Sequence, residues 1–410
     1  MSRLTGDPVS DPKRCLNVSS SSYPVTGAGR WVSRLSRVTS GGRYLPEVDG
    51  LRFIAIGSVF IQHLQQAVQA RLAPGGPLQI DLLSRVMESS RIGVELFFVI
   101  SGFILGLPFA AQFLKGEKPV LLGQYYARRL TRLEPPYLLS LLLVLGLAVA
   151  RGASLQAWAP HVLASALYVH NLVYGEWTAI NTVTWSLEVE VQFYVLAPFL
   201  AGLFRIEGKA RRRGAIALLA ATTFLIRHAF DRAFFALPMT LLTYLPLFLA
   251  GFLLADIWVT DWKSAPRSLA RWDLMSIPGW IFFPFFFLTD VPGKSLLTAV
   301  FLFALVYASF RSSGLKRLLS APALTVTGGM CYSIYLLHLP LIQLLANVVT
   351  VRLAGNRLSA NVFAWLGLFI AAILPVAAVY FLLVEKPCMQ RDWPVRLARS
   401  FGLGRPARRG

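Results

Sequence analysis

Charged residues are scarce in this sequence of 410 residues: they make up 15% of the chain, whereas hydrophobic residues make up 55%. A soluble protein of this length carries about a quarter charged residues. Long apolar runs recur along the chain, and a run of about 18 residues is long enough to cross a membrane. The scarcity of charge therefore excludes an ordinary soluble protein and predicts a membrane protein.

Cysteine and histidine are also rare. Cys15, Cys331 and Cys388 stand at unrelated spacings, and the five histidines form no cluster at metal-ligand spacing. The sequence therefore predicts neither a disulfide framework nor a metal site. The first 43 residues lack the apolar segment of a cleaved signal peptide. We interpret residues 1–43 as a disordered basic tail, residues 44–387 as the membrane domain and residues 388–410 as a basic C-terminal tail.

The apolar runs predict an all-α, polytopic membrane protein with about ten transmembrane helices. The segment 155–172 is only moderately apolar, and we expect it to be an interfacial or re-entrant element. The predicted spans cover, approximately, residues 51–70, 91–112, 135–151, 182–204, 214–232, 236–258, 275–289, 294–311, 322–350 and 361–384.

Basic residues decide the predicted orientation. The net charge is +20, which taken alone fits a nucleic-acid partner. However, with both termini cytoplasmic, 30 of the 40 lysines and arginines fall in cytoplasmic segments, 9 fall outside and Arg52 lies in the first span. This asymmetry is typical of a bacterial inner-membrane protein and argues against nucleic-acid binding.

The first predicted span contains two ionisable residues, which are costly within a membrane and usually face a cavity or a partner. Arg52 and His63 are 11 residues apart, so they share one face of a helix at a separation of about 16 Å. The simplest structural interpretation has Arg52 reaching the headgroups and His63 making an interhelical hydrogen bond. Their shared face favours a functional role.

Helical rise predicts that several polar residues of different spans lie in one layer. His63, Glu190 of the fourth span and His338 of the ninth come to the same depth within about 5 Å, and Ser101 falls near the same level. Each residue alone also fits a structural hydrogen bond. Two histidines and a carboxylate in one layer predict a site that handles protons.

A basic pair precedes the third predicted span. Arg129 and Arg132 are three residues apart and can face one anion together. Basic residues at this place are more often topology determinants or lipid contacts. Without further information, a topology or lipid-contact role is therefore the more common interpretation of this arginine pair, and phosphate binding is the less common one.

Six motifs, in order, resemble the integral-membrane acyltransferase type 3 family, and together they cover about residues 44–387. Two positions depart from the usual pattern: Glu95 stands where aspartate is common, and Glu188 where a small residue is common. The motifs are Val48-Asp49-Gly50-Leu51-Arg52 followed by His63; Gly93 to Gly102 with Phe97, Phe98 and Ser101; Arg129-Leu130-Thr131-Arg132; Trp185-Ser186-Leu187 with Glu190, Phe193 and Tyr194; Tyr332-Ser333-Ile334-Tyr335-Leu336-Leu337-His338; and Glu385-Lys386-Pro387.

The resemblance implies a cytoplasmic acyl-CoA donor, commonly acetyl-CoA, and an acceptor hydroxyl on a glycan, a glycolipid or a small molecule in the membrane or beyond it. It also implies roles for the arginine–histidine pair of the first span and for the arginine pair before the third. Guanidinium groups suit the phosphates of coenzyme A, so we expect Arg52, Arg129 and Arg132 to bind the donor.

We expect direct transfer of the acyl group, with His63 as the general base. Ser101 or Tyr332 would donate to the oxyanion, and Glu190 would orient His63. A covalent acyl-histidine relay is the alternative chemistry. The alternative function is a proton-coupled transporter or exporter of glycans or small anions, because buried His and Glu also form proton relays. The sequence does not identify the acceptor or the acyl length.

Overall fold

The chain is helical throughout the residues that the structure describes. The computed structural model describes residues 32–38, 44–178, 180–233, 240–289, 291, 293–348, 352–390, 393 and 396. Within these ranges the only β-type pairing is one isolated bridge between Gln79 and Arg357. The predicted all-α fold class is confirmed. Cys15 and most of both predicted tails lie outside the described residues.

Sixteen α-helices of the described chain, numbered in chain order, position the candidate site. They are α1 (Pro46–Leu72), α2 (Leu82–Glu88), α3 (Ile92–Lys115), α4 (Leu122–Ala150), α5 (Leu155–Ala166), α6 (His170–Tyr174), α7 (Trp185–Leu200), α8 (Lys209–Ala233), α9 (Leu241–Thr260), α10 (Asp273–Phe286), α11 (Lys294–Arg311), α12 (Gly314–Leu319), α13 (Pro322–Gly329), α14 (Cys331–Ala346), α15 (Leu358–Tyr380) and α16 (Lys386–Cys388). A π-helical turn, Phe381–Glu385, joins α15 to α16.

Six helical segments of the described chain are long and apolar enough to cross a membrane, and the bent pair of α13 and α14 would make a seventh. The protein is thus a multi-pass membrane protein. The predicted number of ten spans is not confirmed, because α1 is interrupted by polar residues, α8 carries charged residues at both ends and α10 has only 14 residues. The six segments are Leu82–Lys115, Leu122–Ala150, Thr182–Arg205, Leu241–Thr260, Lys294–Arg311 and Leu358–Cys388.

Helix α4 begins well before the predicted start at residue 135. Pro135 and Pro136 lie inside it and do not end it. Tyrosine hydroxyls of neighbouring helices bind carbonyl groups at this point: Tyr332 donates to the Leu133 carbonyl at 2.9 Å, and Tyr380 donates to the Pro136 carbonyl. These contacts hold α14 and α15 against α4 next to its prolines.

The ninth predicted span is broken in two. Helices α13 and α14 meet at Met330 and are bent by 71°. A Cβ atom at Gly328 would collide with the main chain of α1 at Asp49 and Phe53, so this close approach requires glycine. The bend therefore rests directly against the start of α1.

Helices α3 and α9 cross through a pair of glycines. A Cβ atom at Gly102 would meet the carbonyl of Phe248, and one at Gly251 would meet the carbonyl of Val99. Small residues at such a crossing let two helix backbones come close. Phe193 of α7 stacks on Phe248 with ring centroids 4.0 Å apart, so α7 is fixed beside this crossing.

The segment 155–172 forms the short helix α5 and enters α6. With 12 residues, α5 is about 18 Å long, which is too short to cross a hydrocarbon core of about 30 Å. Residues 32–38, which the predicted N-terminal tail included, pack against the domain. Arg37 pairs with Asp49 at 3.0 Å, and Lys386 donates to the Arg34 carbonyl.

Candidate active site

Two of the predicted site residues, His63 of α1 and His338 of α14, form a hydrogen-bonded pair. His63 Nδ1 lies 2.9 Å from His338 Nε2, and the ring centroids are 5.1 Å apart. His338 is fully buried, whereas His63 is half-buried. One histidine of the pair is therefore held inside the fold and the other is accessible.

The main chain fixes the proton positions of this pair in its neutral form. His338 Nδ1 lies 2.8 Å from the Tyr335 carbonyl and 3.1 Å from the Ile334 carbonyl. Carbonyl oxygens only accept, so Nδ1 must carry the hydrogen and Nε2 must carry the lone pair. His338 Nε2 then accepts from His63 Nδ1, which leaves the lone pair of His63 on Nε2. The accessible nitrogen of His63 is thereby a base.

Helix α14, which holds His338, is fixed on both sides of that residue. Pro340 has no N–H, and the carbonyl that it leaves without a helical donor, that of Leu336, accepts from Asn181 Nδ2 at 2.9 Å. At the start of the helix, Glu385 Oε2 accepts from Ser333 N at 3.0 Å and from Ser333 Oγ at 2.5 Å. A carboxylate at a helix N terminus is stabilising.

The other two residues of the predicted layer, Ser101 and Glu190, also bind each other. Ser101 Oγ of α3 donates to Glu190 Oε1 of α7 at 2.5 Å, and Tyr194 Oη donates to the same oxygen at 2.6 Å. We expected Glu190 to orient His63, but the described hydrogen bond of His63 is to His338. The described hydrogen bonds thus group the four residues as two pairs.

Arg52 lies at the start of α1, below His63 on the same helix. Its Nη1 donates to Asp49 Oδ1 at 2.7 Å, and the Asp49 side chain is fully buried. Arg37 reaches the other carboxylate oxygen. Two guanidinium groups on one carboxylate leave a net positive charge at this end of the helix.

The predicted arginine pair of α4 has two different environments. Arg129 donates to the Tyr125 carbonyl at 3.1 Å, and its Cζ lies 3.8 Å from the Tyr125 ring centroid. Arg132 lines a cavity of about 350 Å³ together with Arg128 and Thr131, and its Nε is buried without a hydrogen-bond partner. Arg132 is thus the member of the pair that is oriented toward a ligand.

Tyr332, which we expected near the oxyanion, donates its hydroxyl to the Leu133 carbonyl at 2.9 Å. Three further residues at the site were not assigned from the sequence, namely Arg128, Tyr335 and Glu385. Arg128 lies four residues before Arg132, and this helical spacing was the available signal for it. Tyr335 Oη donates to the Val183 carbonyl at 2.5 Å, a contact that no local pattern indicates.

Within the described ranges, no group of three or more His, Cys, Asp or Glu side chains is arranged to hold a metal ion. Cys331 and Cys388 are both free thiols. The chemistry that the described residues offer is a histidine base together with arginine side chains for an anionic substrate.

A family described as an acyltransferase domain matches residues 45–384, which is most of the chain. The chain belongs to the acyltransferase type 3 family. No solved structure matches this acyltransferase type 3 chain.

The curated relatives of this chain are named as O-acetyltransferases or putative O-acetyltransferases. The O-acetyltransferase OatA of Staphylococcus aureus strain NCTC 8325 / PS 47 is 27% identical over 329 residues, which cover 73% of this chain and 51% of OatA. The putative O-acetyltransferases SACOL0978 of strain COL and SAS0844 of strain MSSA476 are 26% identical over 332 residues, with the same coverage. The chain spans about half the length of these relatives.

Proposed function

We propose that this protein is a membrane O-acyltransferase of the bacterial inner membrane. It moves an acyl group, acetyl in the commonest case, from cytoplasmic acyl-CoA to a hydroxyl of a glycan, glycolipid or small molecule in the membrane or on its far side. Family membership and the names of the relatives support O-acylation. The acyl-CoA donor, the hydroxyl acceptor, the inner membrane as the location and the cytoplasmic position of both termini are parts of the proposal.

The observation that carries the proposal is the fixed tautomer of the His63–His338 pair. A general base needs its lone pair on the nitrogen that meets the substrate, and a third group often sets the tautomer. Here His338 has that role for His63. Because His338 is neutral, it orients the base without adding a buried charge.

The reaction we propose is a direct transfer. His63 Nε2 takes the proton of the acceptor hydroxyl as the oxygen attacks the thioester carbon, which gives a tetrahedral oxyanion. The oxyanion collapses, the C–S bond breaks, and the coenzyme A thiolate receives the proton from His63. His338 Nε2 keeps its hydrogen bond from His63 Nδ1 throughout and stabilises the imidazolium that forms.

Hydrogen-bond donors for the oxyanion must be released from present partners. Ser101 donates to Glu190 at 2.5 Å, and Tyr332 donates to a main-chain carbonyl on α4. A hydroxyl rotates more easily than a helix moves, and Glu190 has a second donor in Tyr194. Ser101 is therefore the better of the two predicted donors.

Arginine side chains bind the donor in this proposal. Arg132 and Arg128 line the cavity of about 350 Å³, where the phosphates of coenzyme A find guanidinium donors. Arg52 and Arg129 add positive charge nearby, although both already have partners in Asp49 and in Tyr125. Arg132→Gln is expected to weaken acetyl-CoA binding about tenfold or more.

The test uses the purified protein in detergent and in proteoliposomes loaded with acetyl-CoA. We expect the wild type to bind acetyl-CoA, and cells with the gene to show an acetyl increment on a surface glycan or secreted metabolite by mass spectrometry. His63→Ala should keep donor binding and lose transfer, whereas Gln62→Ala on the same helix should retain both. Retained turnover in His63→Ala would overturn the role of His63.

The same measurements distinguish the transporter alternative. A transporter or exporter has no reason to bind acyl-CoA, so absence of acetyl-CoA binding by well-folded wild-type protein would refute the enzyme. A covalent relay is distinguished by rapid quenching with labelled acetyl-CoA in the absence of acceptor. Direct transfer predicts no label on the protein, and label that is lost in His63→Ala would establish the relay.

A further inference from the structure

A second cavity lies at the other end of the domain from the arginines of α4. Its volume is about 270 Å³, and it opens where α3 and α11 begin and where α8 and α10 end. Arg91, Glu95, Arg227, His228, Phe287 and Lys294 line it. The predicted orientation puts these helix ends on the extracytoplasmic side, where the acceptor of the proposed function arrives.

Three cationic side chains from three separate segments meet at this cavity. The Cζ atom of Arg91 lies 5.9 Å from the Phe287 ring centroid, and Lys294 Nζ lies 5.4 Å from the same centroid. Lys294 donates to two main-chain carbonyls, those of Phe287 at 3.0 Å and Thr289 at 2.6 Å. An ammonium group has three N–H donors, so one of them remains for a ligand.

The main chain adds to this positive charge. Gly293, which also lines the cavity, is the N-cap of α11. The N terminus of a helix presents free N–H groups and a partial positive charge, which favour an anion. One helix start and three basic side chains therefore surround one space.

Glu95 contributes a carboxylate to the same cavity. Its Oε2 is buried and has no hydrogen-bond partner. A buried carboxylate oxygen without a partner is costly, and a ligand hydroxyl would satisfy it. Three cations still outnumber this single carboxylate, so the cavity as a whole favours an anion that carries a neighbouring hydroxyl.

We propose that this cavity binds a phosphate-bearing headgroup, with the phosphate held by Arg91, Arg227 and Lys294 and an adjacent hydroxyl held by Glu95. The inference rests on the proposed function in one respect, namely that the phosphate belongs to the acceptor. Glu95 and Ser101 are six residues apart on α3, so the cavity lies about 9 Å along this helix from Ser101 of the candidate active site. A bilayer phospholipid offers the same phosphate chemistry.

Binding by the purified, full-length protein tests the proposal without requiring turnover. The probes are glucose 1-phosphate and dioleoyl phosphatidic acid, with glucose and dioleoylglycerol as uncharged controls, measured by native mass spectrometry and titration calorimetry. We expect the charged probes to bind and the neutral ones not to bind. Binding of glucose 1-phosphate identifies an acceptor site, and binding of phosphatidic acid alone identifies a lipid headgroup site.

The variant that tests the site is the double substitution Arg91→Gln with Arg227→Gln, and Arg85→Gln on the exposed surface of α2 is the matched control. We expect the double variant to bind the charged probes at least tenfold more weakly, and the control to bind them as the wild type does. Equal binding by the double variant, or no binding of either charged probe to the wild type, would overturn the proposal.

Two further measurements make these outcomes decisive. Unchanged acetyl-CoA binding and an unchanged thermal midpoint in the double variant show that the protein is folded, and acetyl-CoA binding by the wild type reports on the proposed function separately. Glu95→Ala should reduce the preference for glucose 1-phosphate over inorganic phosphate, because the hydroxyl contact is lost. An unchanged preference would refute the role of Glu95.

Discussion

Removing the imidazole of His338 tests the central geometry most directly. In His338→Ala, His63 Nδ1 loses the acceptor that lies 2.9 Å away, and the neutral ring is free to place its proton on either nitrogen. His338→Gln offers a side-chain oxygen that can take the place of Nε2. The two variants therefore separate the loss of the acceptor from the loss of the histidine.

The expected effect follows from one buried hydrogen bond. Loss of a partner in a buried pair costs about 1–3 kcal/mol, which corresponds to a fall of about 5- to 150-fold in kcat. Loss of the base itself in His63→Ala costs about 10²- to 10⁴-fold. We expect kcat to fall in the order wild type, His338→Gln, His338→Ala, His63→Ala, with the KM for acetyl-CoA unchanged.

The assay is release of the coenzyme A thiol in proteoliposomes with a saturating acceptor, after acetyl-CoA binding has shown that each variant is folded. A rise in KM with unchanged kcat in His338→Ala would mean that His338 acts on donor binding and does not orient His63. A folded His338→Ala variant with the kcat of the wild type would refute the proposal that His338 sets the tautomer of His63.

Three further predictions concern the rest of the fold. Glu190→Ala leaves two hydroxyl donors without an acceptor and should lower the free energy of unfolding by about 1–3 kcal/mol. Glu190→Gln keeps an acceptor oxygen and should lower it less. Equal thermal midpoints of the wild type and the two variants in detergent would contradict this. Gly251→Leu must push a side chain into the backbone of α3, so we expect no folded protein in size-exclusion chromatography. Gly146→Leu, which has open space around it, should remain folded. A folded Gly251→Leu variant would contradict the close approach of α3 and α9. Burial acts to raise the pKa of Asp273, but hydrogen bonds from residues 312–315 outweigh it and hold that pKa below its usual value. The stabilisation is therefore present above about pH 4 and is lost as the pH falls from there toward the lower pKa of the folded state. Asp273→Asn should reduce the fall of the thermal midpoint over this acidic range. An unchanged pH profile of the thermal midpoint in the variant would contradict this.

Hydrophobic runs predicted the existence of most helices, because burial in lipid depends on composition and length alone. They did not predict the break between α13 and α14. Gly328 and Gly329 fit a continuous apolar helix, and the break arises from close packing against the backbone of α1 at Asp49. The start of α4 was also missed, because Pro135 and Pro136 suggest a helix boundary, whereas the helix continues through both.

The candidate site was predictable in its members more than in its contacts. Helical rise brought His63 and His338 to one depth, and they lie 2.9 Å apart. The same calculation brought Glu190 to that depth but could not give the rotation of α7. That rotation is set by packing such as the stack of Phe193 on Phe248, and it pairs Glu190 with Ser101.

Buried polar groups were the least predictable feature. Glu188 is fully buried and accepts from the main-chain N–H of Asn171 at 2.8 Å. Glu385 likewise serves as a cap for α14. A carboxylate in an apolar segment indicates that a partner exists, and only the tertiary fold shows which one.

The proton on His338 is held by main-chain carbonyls of its own helix, so its position does not depend on any neighbouring side chain. Substitutions around the histidine pair can reshape the space for an acceptor and leave the orientation of the base intact. Under the proposed function, sequences that differ around the pair could accept different alcohols and keep the same base.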